Sequence, residues 1–503
     1  MRVQPSRFEG EVTMSRIDEL LTSIPTDLYI NGEFRPSRSG ERFDVYNPAT
    51  GEVLTTVASA APEDAAEALD LAVAAQEAWA ATPPRTRSDI LYRAFDLATT
   101  TYREDLALLM TLEMGKPLDQ ADGEVTYGAS FLRWFAEEAT RIRGDYFRIP
   151  EGHLQAIVVR RPVGPCLFIT PWNFPLAMAT RKAGPAFAAG NVAILKPSKE
   201  TPLTSLFFAK IMHEAGLPAG VLAVIPSKSS RTITGPLIAD PRLRKLSFTG
   251  STAVGKALLK EASANVLRTS MELGGNAPFI VFEDADIDRA VEAAVATKLR
   301  NMGEACNAAD HFFVHDDVYD EFTEKFTTAL ASQRVGDGTE DGVDVGPLVS
   351  QHQLDDVSGL VDRAVQAGAQ ITTGGRRIGE EGFFFEPTVI TDIAHDAEIM
   401  TTEIFGPVAP VVRFSDEKDL VRIINADSVG LAGYFHTNSL PRILRLAEKL
   451  EIGMLGVNSA TISNTAAPFG GMKQSGMGRE GGKEGIEEYL ETVYVGMPAP
   501  DLM

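Results

Sequence analysis

Near Leu154 the hydrophobic pattern of this chain changes period, and that change does most to limit what the chain can fold into. Upstream, PEDAAEALDLAVAAQEAWA and the stretches Arg87 to Met114 and Tyr127 to Arg141 carry apolar residues at helical spacing. Downstream, the short apolar runs AIVVRRP, CLFIT, VAILK, VLAVI and KLSF alternate with turn residues and helix-forming stretches. This alternation predicts a parallel sheet covered by helices. A second αβ series opens at PFIVF, with DADIDRAVEAAVATKLR as its helix and Asp286 as N-cap. A hinge between two α/β halves is expected near Leu273 and Gly274. At 503 residues the chain needs two or three cores.

A formal net charge of −22 argues against nucleic acid, whose phosphates require a basic footprint. An anionic substrate would need a local basic pocket. No uncharged apolar run reaches the length of a membrane span, and the first residues lack the apolar segment of a signal peptide. With two cysteines and no disulfide framework, the expected compartment is the reducing cytoplasm. Seven scattered histidines and no HExxH leave metal chemistry without support.

The two cysteines read differently. Cys166 lies in the apolar GPCLFIT and is expected to be buried and inert. Cys306 lies in NMGEACNAAD, a polar run with no evident apolar shelter, and is expected to be an accessible nucleophile. No histidine signature accompanies it. Glu272 ends a strand-like run in MELGGN, where a carboxylate can act as general base toward water. In PWNFP, Asn173 is pinned between Pro171 and Pro175 and can offer an amide to an oxyanion. SFTGSTAVGKA follows a strand and opens a helix, a place where N–H groups meet anions. Its spacing imitates a P-loop, but Ala257 lacks the hydroxyl that magnesium needs, so a dinucleotide fits better than a nucleoside triphosphate. GxGxxG is absent, so this is not an ordinary Rossmann phosphate turn.

Together PWNFP, TRKAGPA, GNVAILKPS, SFTGST, MELGGN, RNMGEAC, EIFGPV and APFGGMKQSGMGREGG resemble the aldehyde dehydrogenase superfamily, most closely its succinate-semialdehyde dehydrogenases. They occur in family order over about residues 27 to 498. The resemblance implies an α/β fold with a Rossmann-like cofactor domain (27–143 and 163–272), an α/β catalytic domain (273–457) and a small β oligomerisation extension (144–162 and 487–503). Residues 1–26 would form an N-terminal extension and 458–486 a substrate-pocket and return segment. A homodimer or homotetramer is expected.

The resemblance also implies a covalent oxidation, with Cys306 as nucleophile, Asn173 and the Cys306 N–H holding the oxyanion, and Glu272 activating water. Cofactor contacts would come from Thr170, Pro171, Trp172, Lys196, Ser198, Gly250, Ser251, Glu403 and Phe405. Lys199 stands where NAD-preferring relatives often carry glutamate, which predicts NADP over NAD; the other reading has Lys199 in solvent and Glu200 in the acidic role. Arg181, Arg300, Ser463 and Phe469 would line the substrate site, with both arginines clamping the distal carboxylate of succinate semialdehyde. Glutarate semialdehyde or an uncharged aldehyde is the alternative substrate, and a catalytically silent relative the alternative role. Asp310 and His311 replace the family's usual Asn-Arg, which predicts a less firmly held catalytic loop. Asn307 stands where Thr is commoner, and no second cysteine is near enough for a disulfide switch.

Overall fold

The computed structural model describes residues 12–499; residues 1–11 of the expected N-terminal extension and 500–503 of the expected oligomerisation extension lie outside the described residues. Two sheets carry the fold. The centre of an eight-stranded sheet runs Leu222–Val224, Ala193–Lys196, Cys166–Ile169, Lys245–Thr249 and Arg268–Glu272, each parallel to its neighbour. Every residue of CLFI, AILK and KLSFT is buried. Such unbroken runs suit a sheet with both faces covered by helices.

The second sheet has seven strands, in the order Gln370–Thr373, Thr388–Thr391, Val408–Phe414, His311–His315, Pro278–Val281, Ala432–His436 and Met454–Val457. Only its outer pair, Gln370–Thr373 with Thr388–Thr391, is antiparallel. Asp286 caps the following helix as expected, accepting from the Arg289 N–H at 3.2 Å. The first sheet reaches Glu272 and the second begins at Pro278, so the chain passes between them through LGGNA. The C-terminal Gly476–Met477 strand then returns to pair with Met271 and Glu272.

Two expectations need correction. AIVVRRP does not join the parallel sheet: Leu154–Pro162 pairs antiparallel with Asp145–Arg148 and Leu490–Pro498. Its two arginines and mostly half-buried residues mark a two-faced strand rather than an interior one. The three-stranded arm leaves Tyr146, Phe147, Tyr494, Val495 and Met497 exposed. The Arg87 to Met114 pattern is two helices, Pro84–Thr99 and Arg103–Met114, broken where Thr100 leaves helical geometry. The next helix, Leu118–Ala139, starts earlier than its periodicity suggests. Glycines at 123 and 128 weaken that signal. Gly128 is used for contact: a Cβ there would lie 3.1 Å from the Ala177 nitrogen of the neighbouring helix.

Candidate active site

The run from Asn301 to Asp310 is the centre of the site, and its environment overturns the expectation of an unsheltered thiol. Every residue in it is buried except Cys306, which is half-buried. The polar side chains achieve this by finding partners. Asn301 donates to the carbonyls of Asn173 (3.1 Å) and Glu304 (2.9 Å), Glu304 accepts from the Val349 N–H at 3.1 Å, and Lys298 donates to Asp310 at 3.1 Å. His311 bonds the Ile399 carbonyl at 2.9 Å. Asp310 and His311 are therefore both satisfied, and the loop is firmly held where their replacement of Asn-Arg predicts looseness. Burial pushes the Cys306 thiol up to about 12, with Arg181 pulling it back and Glu403 adding to the rise.

Backbone strain aims the thiol. Asn301, Met302 and Gly303 are consecutively left-handed, at φ 54°, 56° and 80°, a conformation that side-chain-bearing residues hold only where their surroundings impose it. At Gly303 a side chain is excluded outright, since a Cβ would lie 2.2 Å from the Gly406 carbonyl oxygen.

Asn173 is 2 % exposed at the turn into the Pro175–Ala189 helix. Its Oδ1 accepts from the Phe174 N–H at 3.1 Å and its Nδ2 donates to the Glu304 carbonyl at 3.0 Å. An amide nitrogen carries two hydrogens, so one remains for the cavity that Asn173 and Cys306 both line. Sequence reading missed the group that fixes this turn. Lys116, fully buried, donates to the Asn173 carbonyl at 2.8 Å and to Glu124, whose other oxygen accepts from the Leu176 and Ala177 N–H groups at the helix start. The only sequence signal was a lysine inside MGKP, in the gap between two stretches of helical spacing.

Glu272 is 3 % exposed and neither carboxylate oxygen has a hydrogen-bond partner. Burial first, and the nearby Glu480 second, raise its pKa well above the usual carboxylate range, against the pull of Arg181, Lys182 and Arg479. Glu480, which the sequence did not single out, is held low by Arg181 and Lys182 despite its burial; Lys182 donates to it at 2.6 Å. The two arginines of the expected clamp differ. Arg181 is 1 % exposed, ion-paired with Glu480 and stacked 4.1 Å over the Phe469 ring. Arg300 lies 5.1 Å over Phe174 and 5.9 Å over Tyr127. No carboxylate lies within 4.0 Å of it among the described residues, which leaves its charge uncommitted. Ser463 accepts from Asn307 Nδ2 at 3.0 Å.

A cavity of about 210 Å³ joins the thiol to the Thr252–Ala262 helix, lined by Pro171, Trp172, Asn173, Gly250, Ser251, Glu272, Cys306, Glu403 and Phe405 among others. Ser251 caps that helix by accepting from Val254, which leaves first-turn N–H groups for an anion. Gly274 keeps the wall thin, since a Cβ there would lie 2.5 Å from Glu403 Oε2. Trp172 meets Phe405 edge-on at 5.4 Å. Gln353 holds the Phe405 carbonyl at 2.9 Å. Burial pushes Glu403 up to about 8. This donor set, with an open channel between helix start and thiol, fits a nicotinamide dinucleotide. Thr170 and Lys196 are buried nearby, the Thr170 N–H donating to the Lys196 carbonyl at 3.2 Å, and burial lowers Lys196 to about 8. Ser198 donates to Glu200, and Lys199 lies 3.7 Å from Glu200. Lys199, Glu200 and Lys228 line a separate cleft of about 520 Å³.

A match to the aldehyde dehydrogenase family spans residues 34–495. The chain belongs to that family. Among aldehyde dehydrogenases it is similar to the succinate-semialdehyde dehydrogenase of Paenarthrobacter nicotinovorans, 58% identical over 89% of this chain and 99% of that protein. It is 47% identical to the glutarate-semialdehyde dehydrogenase of Pseudomonas putida, over 93% of this chain and 96% of that one. A crystal structure of an E. coli NADP dependent enzyme superposes with a TM-score of 0.93 at 44% identity, covering 96% of this chain and 99% of that one. The aldehyde dehydrogenase fold is thus the α/β architecture expected from the sequence. Among the described residues no helix is long and apolar enough to cross a membrane, and no cluster of His, Cys, Asp and Glu could hold a metal ion.

Proposed function

We propose that the chain oxidises succinate semialdehyde to succinate with NADP in preference to NAD. One observation carries the reading: a thiol, an amide donor and an unpartnered carboxylate share a single cavity that opens on a helix start. Cys306 attacks the aldehyde carbon as its thiolate, the carbonyl π pair moving onto oxygen, and the new oxyanion is met by the second Asn173 N–H and the Cys306 N–H. Oxidised dinucleotide, when bound, supplies the hydride acceptor, and Gly250, Ser251, Lys196, Glu403 and Phe405 are the residues that would hold it. Glu272, tuned upward by burial, takes a proton from water as that water attacks the resulting thioester, and Cys306 leaves as thiolate.

The carboxylate-bearing substrate is supported by the uncommitted charge of Arg300 and by the names of the relatives. Arg181, bound to Glu480, backs the Phe469 wall and adds its field rather than a free fork. NADP preference is supported by Lys199 and Lys228 on one cleft and by the NADP-dependent structural relative. The exposed aromatic arm supports a homodimer or homotetramer, a division of domains along the two sheets and the arm is part of the same reading, and a cytoplasmic site is consistent with it. The test is an aldehyde panel followed by reduced-nicotinamide absorbance with each cofactor, using Cys306→Ala as control. Preference for an uncharged aldehyde, or for NAD, would reject the corresponding half of the proposal; preference for glutarate semialdehyde would shift it by one carbon.

A further inference from the structure

One helix face holds both halves of the site. Gln120 and Glu124 lie one turn apart on Leu118–Ala139. Gln120 Oε1 accepts from the Asn301 N–H at 2.7 Å, at the root of the thiol loop. Glu124 Oε1 accepts from the Leu176 and Ala177 N–H groups at 3.0 and 3.2 Å, where the Pro175–Ala189 helix has no side-chain cap of its own. The other Glu124 oxygen holds Lys116, which lies in the short link between Met114 and Leu118. That link has little freedom: Gly115 is left-handed at φ 96°, and a Cβ there would lie 2.8 Å from the Pro347 ring.

Lys116 is fully buried and Glu124 nearly so. A buried ion pair is a weak stabiliser, and apolar residues of similar volume often serve a fold as well or better. What apolar residues lack is a donor. Lys116 Nζ donates to the Asn173 carbonyl at 2.8 Å, and Asn301 Nδ2, at 3.1 Å, fills the second lone pair of the same oxygen. Carbonyl and following N–H share one rigid plane, so the peptide between Asn173 and Phe174 is held from two sides. The Phe174 N–H in that plane is the group that Asn173 Oδ1 accepts from. Fixing the plane therefore fixes the side-chain amide, and with one hydrogen of Nδ2 given to the Glu304 carbonyl, the other has a single direction left. Lys116 also lies 4.3 Å from the centre of the Phe174 ring, directly behind the turn.

We propose that Lys116 is a positioning residue: by holding the peptide plane between Asn173 and Phe174, it aims the free Asn173 N–H at the oxygen of the Cys306 adduct. This rests on the reading of Asn173 as an oxyanion donor. Such a donor lowers the barrier only when its direction is set before charge develops. A misplacement of about 1 Å, caused by a change away from the reacting atoms, can cost about 100-fold.

The experiment introduces Lys116→Met together with Glu124→Gln, in wild type and in Asn173→Ala. The pair of changes leaves no ion unpaired, and the glutamine oxygen keeps the two N–H groups at the helix start. In wild type, kcat and kcat/KM for succinate semialdehyde are expected to fall together by about 10- to 100-fold, with KM within about threefold. In Asn173→Ala the same changes should cost less than about twofold, because no amide remains to be aimed. A merely structural role would cost both backgrounds alike. Alkylation of Cys306 by iodoacetamide, which forms no oxyanion, should stay within about twofold of wild type. Should the paired variant fail to fold, Lys116→Gln, uncharged and one bond shorter, carries the same cycle. Equal losses in both backgrounds, a loss confined to KM, or slowed alkylation would overturn the inference while leaving the role of Asn173 intact. An Asn173→Ala enzyme that turns over like wild type would overturn that role and the inference with it.

Discussion

The regions around Cys166 and Cys306 hold thiols whose acidity has been moved alike. Both are pushed up to about 12, and burial is the leading cause in each. Cys166 is fully buried within a central strand and donates to the Gly164 carbonyl at 3.2 Å. Cys306 is half-buried and shares its cavity with Asn173, Glu272 and Glu403. A shifted pKa therefore marks burial, not function; access and convergent partners separate the reactive thiol from the inert one.

Replacing each thiol in turn should separate the regions most widely. Cys306→Ala should abolish turnover by at least about 10⁴-fold, judged by steady-state absorbance, since removing a covalent nucleophile disables the whole catalytic unit; residual activity of a tenth would erase the distinction. Glu272→Gln is next, expected to slow thioester hydrolysis by about 10²–10⁴-fold. Intact-protein mass spectrometry should then trap an acyl adduct on Cys306 and none on Cys166. Alkylation by iodoacetamide should speed up about tenfold per pH unit between pH 7 and 9 at Cys306, without a plateau, because the thiolate fraction grows that way well below the pKa. A plateau by pH 8 would show that the two thiols are not matched in acidity.

The loop beyond Cys306 gives a smaller signal. His311 is held neutral, burial lowering it to about 3, whereas its unfolded value is about 6.5. Between those values the unfolded chain binds more protons, so stability is full above about pH 6.5 and declines as pH falls toward 3. Urea unfolding at pH 7 and pH 5 should show a smaller drop in His311→Gln than in wild type. The flattening should be partial, since His436 is also lowered, to about 4. Smallest is Cys166→Ala, expected to cost about 1 kcal/mol in unfolding free energy with turnover unchanged.

Much of the fold was legible because its strands are short, apolar and fully buried, so CLFI, AILK and KLSFT announce themselves without their neighbours. The Asp286 cap was legible for the same local reason. What could not be read was pairing across distance. NMGEACNAAD looked solvated because its polar groups meet Asn173, Val349 and Lys298, the first two far outside any local window. Arg181 and Arg300 looked equivalent until Glu480 claimed one of them. Lys116 passed unnoticed because a buried lysine and an exposed one read the same in a helix-rich stretch. Apolar spacing alone put AIVVRRP in the parallel sheet, because its partners, a preceding strand and one near the C-terminus, lie outside a local window, whereas the family resemblance had set 144–162 apart with the C-terminal segment.

Gly303 and Gly406 meet backbone to backbone, one on the thiol loop and the other just past Phe405 on the far wall of the cavity. With no rotamer on either side, the separation between these walls is a spacer of fixed length, set by atomic radii and unaffected by side-chain motion. Engineering aimed at new aldehydes can therefore rework side chains of the substrate pocket while the gauge between nucleophile and cofactor wall stays constant.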